Sequence, residues 1–157
     1  LLQPSDDTID LLSHVLNYAR IGLATEMLGS AWAAFDMTVE YMKLREQFGQ
    51  LIGSFQSLQH RAAEMYVDLE LSRSVVDAAL ISCASNDADL AAIACKTKML
   101  VGETLHRVSN EAVQLHGGIG MTDEHDAGLY LKRARVSEQL YGSASFLGDQ
   151  FASLRSF

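Results

Sequence analysis

From about Asp7 to Arg45 apolar residues recur at Leu12, Leu16, Ala19, Leu23, Met27, Phe35 and Met42, mostly three, four or a multiple of a turn apart. That spacing marks one face of a helix and predicts a single element of about ten turns. The segment FGQLIGS interrupts the repeat with Gly49 and Gly53, and Ser54 stands where an N-cap would open the next helix. Phe55, Leu58, Ala62, Met65, Leu69, Ser72 and Val76 then repeat by threes and fours, so a second helix runs to about Ser85. SNDAD supplies the following turn and cap. Leu90, Ile93, Thr97, Leu100, Thr104, Val108, Ala112 and Leu115 keep the same rhythm to Gly117. Thr122 with Asp123 and Glu124 reads as a fresh N-terminus whose acids complement the helix dipole, and a fourth helix reaches about Tyr141. YGSASFLGDQFASL forms a weaker fifth, and no strand is read. Long helices joined by short loops pack antiparallel at about 20°. The expected fold is all-α: an up-and-down four-helix bundle with a short extra C-terminal helix.

Composition narrows the function more than the fold. A chain of 157 residues, 48 % apolar with one proline, is long enough for a single domain with a real core. No apolar run approaches the roughly 18 residues of a membrane span. The opening LLQPSDDTID has neither the basic nor the apolar region of a signal peptide, so a cytoplasmic protein is expected. A net charge of −8 argues against nucleic acid or anionic lipid as partner, because both require clustered cations. The local basic run Lys132, Arg133, Arg135 reads as a solvated helix face. Cys83 and Cys95 lie within helical pattern, which excludes a disulfide scaffold and favours a reducing compartment. The first residue is not Met, and the chain is expected to be a piece of a longer one.

Few constellations that carry chemistry are present. None of the five histidines (His14, His60, His106, His116 and His125) lies four residues from another. Glu103 and His106 match the Glu-x-x-His of di-iron bundles, but that site needs a second copy, and none exists; no metal is expected. Phosphate-loop and dinucleotide fingerprints are missing. What stands out is AVQLHGGIG, residues 112–120, where a helix runs into three glycines in four positions. One reading is a helix C-cap, with Gly117 left-handed and a second glycine letting the chain leave sharply. The other is close approach of a flat or bulky ligand, since three glycines exceed what a cap needs.

YMKLREQFGQLIGSFQSLQHRAAEMYVDLELSRS followed by AVQLHGGIGMTDEH resembles the C-terminal α-helical domain of the flavin-dependent acyl-CoA dehydrogenases across nearly the whole chain. An Arg-x-x-Phe-Gly and a Gln-x-x-Gly-Gly-x-Gly, separate and in the family's order, carry the resemblance. It implies a single helical domain over residues 1–157, without the family's N-terminal helical and middle β domains. It also implies FAD as cofactor, an acyl-CoA thioester as substrate, and a homo- or hetero-oligomer, commonly a tetramer, joined through the bundles. By the same resemblance Arg45, Gln47 and Phe48 meet FAD from one subunit, and Gln114, Gly117 and Gly118 meet it from a neighbour. Arginine suits pyrophosphate oxygens, Phe48 offers a π-face, and glycines admit backbone amides to the cofactor. The competing structural roles are a snorkelling Arg45, a core Phe48 and a Gln114 that caps its own helix. Trp32 reads as core.

The family removes an α-proton with a glutamate while a hydride leaves the β-carbon for the flavin. Most members seat that glutamate in a Tyr-Glu-Gly-Thr segment, which here is Tyr141-Gly142-Ser143-Ala144. A minority place it immediately before the arginine that matches Arg20, which here is Ala19. Both seats, Gly142 and Ala19, lack a carboxylate. The threonine and glutamine that contact the cofactor in the common pattern are Ala144 and Phe146. This resembles one partner of the mixed α2β2 acyl-CoA dehydrogenases of bacterial steroid and cholesterol side-chain breakdown, in which one chain type can lack the base. The alternative implied is a catalytically silent structural subunit that assembles with an active paralogue. Glu26, Glu138 and Asp149 are carboxylates that could in principle substitute, though none sits at a matched position.

Overall fold

Thr97, Thr104, Val108, Ala112 and Leu115 are buried as the repeat predicts, yet so are Ala94, Cys95, Lys98, Val101, Leu105 and Ser109 on other sides of the same helix. A helix buried nearly all round is a central one. The computed structural model describes residues 6–85 and 87–157. The elements are α1 (Asp6–Leu44), β1 (Glu46–Gln47), β2 (Gln50–Leu51), α2 (Gln56–Ser85), α3 (Leu90–His116), α4 (Ala127–Gln139) and α5 (Ala144–Leu154). Helix α3 packs against α1, α2, α4 and α5. The fold is the expected all-α bundle, with the shorter α5 added at the end. Residues 1–5 of the opening segment, and Asn86 within SNDAD, lie outside the described residues.

The core runs between α1, α2 and α3 through Met27, Ala31, Phe35, Met65, Leu69, Val101, Leu105 and Val108. Two buried hydroxyls are paired: Ser72 Oγ and Thr104 Oγ1 lie 2.7 Å apart across α2 and α3, which offsets the cost of burying them. Trp32 is half-buried, edge-on to Phe35 and Tyr66, with the Arg73 guanidinium 4.7 Å from its ring centroid.

Four local expectations are corrected. The chain between α1 and α2 contains a two-stranded antiparallel hairpin; strands of two residues are too short to show an alternation. Ser54 does not cap α2, because its hydroxyl donates to Leu51 O at 2.6 Å inside a 3-10 turn, Ile52–Ser54. Helix α4 starts at Ala127 rather than Thr122, since Gly117–Met121 forms another 3-10 turn and the Thr122 hydroxyl closes it by donating to Ile119 O. Leu12, read as a core position, is 59 % exposed beside exposed Ile9, Leu11 and Val15, and Leu100 is exposed too.

The basic run of α4 is exposed, as expected, and carries surface ion pairs. Arg133 grips Glu26 of α1 through two bonds of 2.8 Å, Arg135 bonds Glu138 at 3.1 Å, and Lys132 lies 3.9 Å from Asp123.

Candidate functional site

The hairpin is a device for presenting one aromatic ring. Phe48 (φ 55) and Gly49 (φ 78) both take positive φ, the requirement of the two-residue turn that matches strand twist. Gly49 accepts this freely; Phe48 does so at about 1–2 kcal/mol. Its ring gains little from the fold in return, being 93 % exposed and edge-on to Phe55 at 6.2 Å between centroids. The hairpin is anchored where Ile52 N donates to Arg45 O at 2.8 Å. A Cβ on Gly53 would stand 2.8 Å from Met42 O, so a glycine lets the turn sit on the end of α1.

Across from the hairpin lies the end of α3, where three glycines divide three tasks. Gly117 is the cap: φ is +64 and its N–H donates to Gln114 O and Val113 O. Gly120 is packed, because a Cβ there would meet Val113 O at 2.8 Å and His116 Cβ at 2.9 Å. Gly118 does neither. It is exposed, its φ lies outside the left-handed region, and nothing stands within 4 Å of where a Cβ would be.

These two segments border one groove of about 300 Å³, lined by Arg45, Gln47, Phe48, Gln114, Gly117 and Gly118. All six residues singled out from the sequence therefore meet in one place, on one chain. Adjacent ends of α1 and α3 bring both motifs to the same wall.

The groove holds polar groups that the fold leaves unused. Seven arginines have side-chain partners: Arg20 with Tyr141 O, Arg61 with Glu111, Arg73 with Glu70, Arg107 with Asp68, and Arg133, Arg135 and Arg155 with Glu26, Glu138 and Asp89. Among the described residues the Arg45 guanidinium has no such partner, and the same holds for the Gln114 amide. His116, also on the groove wall, was not singled out by sequence reasoning, because a histidine at a helix end carries no signal of its own. It is 3 % exposed, and burial holds its pKa below the usual histidine value, with the Ala112 bond opposing and nearby His125 assisting.

The two seats of a family base lie elsewhere, and close together. Arg20, next to Ala19, donates from Nε to Tyr141 O at 3.0 Å and from Nη1 to Asn17 at 3.2 Å. Lys98 arrives from α3 with Nζ 2.8 Å from Glu138 O and 2.6 Å from Gly142 O. Burial lowers the Lys98 pKa, with Glu138 raising it and Arg20 lowering it further. The pinned turn takes positive φ twice running, at Tyr141 (φ 58) and Gly142 (φ 118). A Cβ at Gly142 would stand 2.9 Å from Phe146 Cδ1 and 3.1 Å from Leu147 Cδ2. Any side chain there requires Phe146 to swing aside and Leu147 to give by a few tenths of an ångström.

Ala144 opens α5, whose N-cap Ser143 accepts from Phe146 N at 3.3 Å, and lines a second cavity of about 440 Å³ with Lys98, His106 and Glu138. Of the carboxylates that could substitute for the base, Glu26 is held by Arg133, while Glu138 is held by Arg135 and by His106 Nδ1 at 2.9 Å. Glu103 and His106 acquire no further ligands, for among the described residues no three His, Cys, Asp or Glu are grouped to hold a metal. No helix among the described residues is long and apolar enough to cross a membrane.

Fold and groove together define a helical domain that presents an unpaired arginine, an exposed ring and a side-chain-free glycine on one wall. The chain belongs to the acyl-CoA dehydrogenase family: the family's C-terminal domain matches residues 9–152. It is similar to the acyl-CoA dehydrogenase IpdE2 of Mycolicibacterium smegmatis, 45 % identical over 79 % of this chain and 38 % of that protein. It superposes on the acyl-CoA dehydrogenase of Geobacillus kaustophilus with a TM-score of 0.93 at 27 % identity, covering 100 % of this chain and 41 % of that one. A structure of the ChsE4-ChsE5 complex from Mycobacterium tuberculosis superposes with a TM-score of 0.87 at 26 % identity, over 97 % of this chain and 40 % of that one. The chain thus spans about two fifths of the length of these proteins.

Proposed function

We propose that this chain is the C-terminal part of an FAD-dependent acyl-CoA dehydrogenase, and that its groove holds the nucleotide portion of FAD. The observation that carries the reading is the Arg45 guanidinium on the groove wall, the arginine side chain that has no partner among the described residues. The donor set fits a dinucleotide. Arg45 provides a rigid two-pronged donor for pyrophosphate oxygens, Phe48 a ring for stacking, and Gly118 room for close backbone approach. A groove of about 300 Å³ is at the small end of ligand sites, so it takes one portion of the cofactor and leaves the flavin to surfaces beyond this chain. When bound, the flavin supplies the hydride acceptor for α,β-dehydrogenation of an acyl-CoA thioester.

This chain does not supply the proton-abstracting carboxylate at either family position. Ala19 and Gly142 have none, and a larger residue at 142 would press on Phe146 and Leu147. The base then comes from another chain, in keeping with a mixed assembly; the similarity to a two-protein complex supports this. Oligomerisation through the helical faces, an acyl or steroid-derived thioester as substrate and a cytoplasmic location complete the reading.

The test is to purify the chain within its full-length parent, alone and co-expressed with a homologue that carries the glutamate. Flavin absorbance and acyl-CoA-dependent dye reduction are expected in the co-purified complex, and dye reduction is expected to be lost for the parent alone. A complex without flavin refutes the cofactor assignment. Full turnover by the parent alone refutes the missing base.

A further inference from the structure

His116 is the last residue of α3, and its ring is held in place by its neighbours. Tyr41 and His125 both pack against it in tilted contacts, with centroids 4.4 Å and 4.2 Å away. Nδ1 stands 2.7 Å from Ala112 O. A carbonyl oxygen only accepts, so Nδ1 carries the proton and the neutral ring has its lone pair at Nε2. That nitrogen is buried and finds no partner among the described residues. Buried polar atoms are rarely left so, and an orphan on the wall of a groove points to a partner from outside the chain.

The neighbours say which kind of partner. The polar side chains on the same wall include two guanidinium groups, Arg45 and Arg61 (engaged with Glu111 at 2.6 Å), and the amides of Gln47 and Gln114. Guanidinium groups recognise oxygen anions. His116 Nε2 and the amide oxygens add acceptors, so the ligand that uses the whole wall carries an anionic group and, close by, a hydrogen-bond donor. A nucleoside diphosphate has both.

We propose that His116 Nε2 accepts a hydrogen bond from a ribose hydroxyl or the exocyclic amine of the bound nucleotide, making His116 a binding residue of this groove. The inference rests on the nucleotide reading of the groove given above. The packed rings hold the imidazole in place before the ligand arrives, so little side-chain freedom is lost on binding.

The experiment uses ADP as probe, with calorimetric titration of the purified chain, His116→Phe and Arg45→Ala. Phe keeps an aromatic ring beside Tyr41 and His125 but lacks the acceptor. His116→Phe is expected to weaken ADP by about three- to tenfold, the worth of one neutral hydrogen bond. Two further probes separate the donors: IDP lacks the amine, and 2′-deoxy-ADP lacks one hydroxyl. The probe that the wild-type chain binds less well than ADP, but His116→Phe does not, identifies the group. Nitrogen-15 NMR of the wild-type chain gives an independent reading should the variant not fold. Nε2 is expected at the position of an unprotonated nitrogen and to shift on ADP addition. A proton found on Nε2, or ADP bound equally by wild type and His116→Phe while Arg45→Ala weakens it, overturns this inference alone. ADP binding indifferent to Arg45→Ala overturns the nucleotide reading itself.

Discussion

Replacing Gly142 by alanine adds a single methyl group, and the structure sets what that methyl must displace. The new Cβ would lie 2.9 Å from Phe146 Cδ1 and 3.1 Å from Leu147 Cδ2. Phe146 is exposed and can swing away, but Leu147 is fully buried, so part of α5 must move. The turn itself resists, since Lys98 Nζ and Arg20 Nε hold the carbonyls of Gly142 and Tyr141. Overpacking of this kind costs about 1–3 kcal/mol, and a positive φ adds about 1–2 kcal/mol for a residue with a Cβ. The sum, roughly 2–5 kcal/mol, is a large part of the stability of a domain this size and corresponds to a melting point lower by roughly 5–20 °C. Circular dichroism melts of Gly142→Ala beside Gly118→Ala provide the comparison. Gly118 has open space around it, and its alanine variant is expected to stay within about 2 °C of wild type. If the two variants melt together, the argument that a side chain at 142 crowds Phe146 and Leu147 and strains the turn fails.

Gly120→Ala is expected to lower the denaturant midpoint by the equivalent of about 1–3 kcal/mol, because the Cβ would meet Val113 O at 2.8 Å; a midpoint equal to that of Gly118→Ala would contradict the division of tasks among the glycines. Lys98→Met removes the donor to Glu138 O and Gly142 O and should destabilise by about 1–3 kcal/mol, with faster amide exchange in the 140–143 turn as its local signature. His116 is buried neutral with its pKa lowered from 6.5, so below about pH 6.5 the unfolded chain binds the proton first and stability falls with falling pH, by at most about 1.4 kcal/mol per unit from this group. The groups around it are Tyr41, His125, Arg45, and Arg61 with Glu111. Urea titrations at pH 7.5 and 5.5 should show a smaller acid loss for His116→Phe than for wild type.

The helices were legible because their burial is periodic: Met65, Leu69 and Val76 of α2 lie inside as their spacing requires. What escaped the pattern follows from geometry that spacing does not encode. The hairpin at 46–51 is built from paired positive φ values in Phe48 and Gly49, and only Gly49 announces them. The start of α4 moved because a 3-10 turn makes use of the same Thr122 that an N-cap would. Lys98 and Arg20 are charged residues inside the bundle, with 2 % and 4 % exposure. Nothing local marks them, because the carbonyls they bind at 138–142 lie some 40 residues or more along the chain. The groove residues were found through motif resemblance, whereas their meeting on one wall of one chain came from how the ends of α1 and α3 lie side by side. His116 stayed hidden because its unused nitrogen becomes evident only once its other partners are known.

The central claim is that the two motif segments form one nucleotide site, and amide chemical-shift mapping of the isotope-labelled chain with ADP tests it most directly. Resonances of Arg45, Phe48, Gln114, Gly117 and Gly118 are expected to move together along one saturation curve, while Gly148 on α5 stays in place. Shifts confined to only one of the two segments, or none at saturating ADP, would contradict the account.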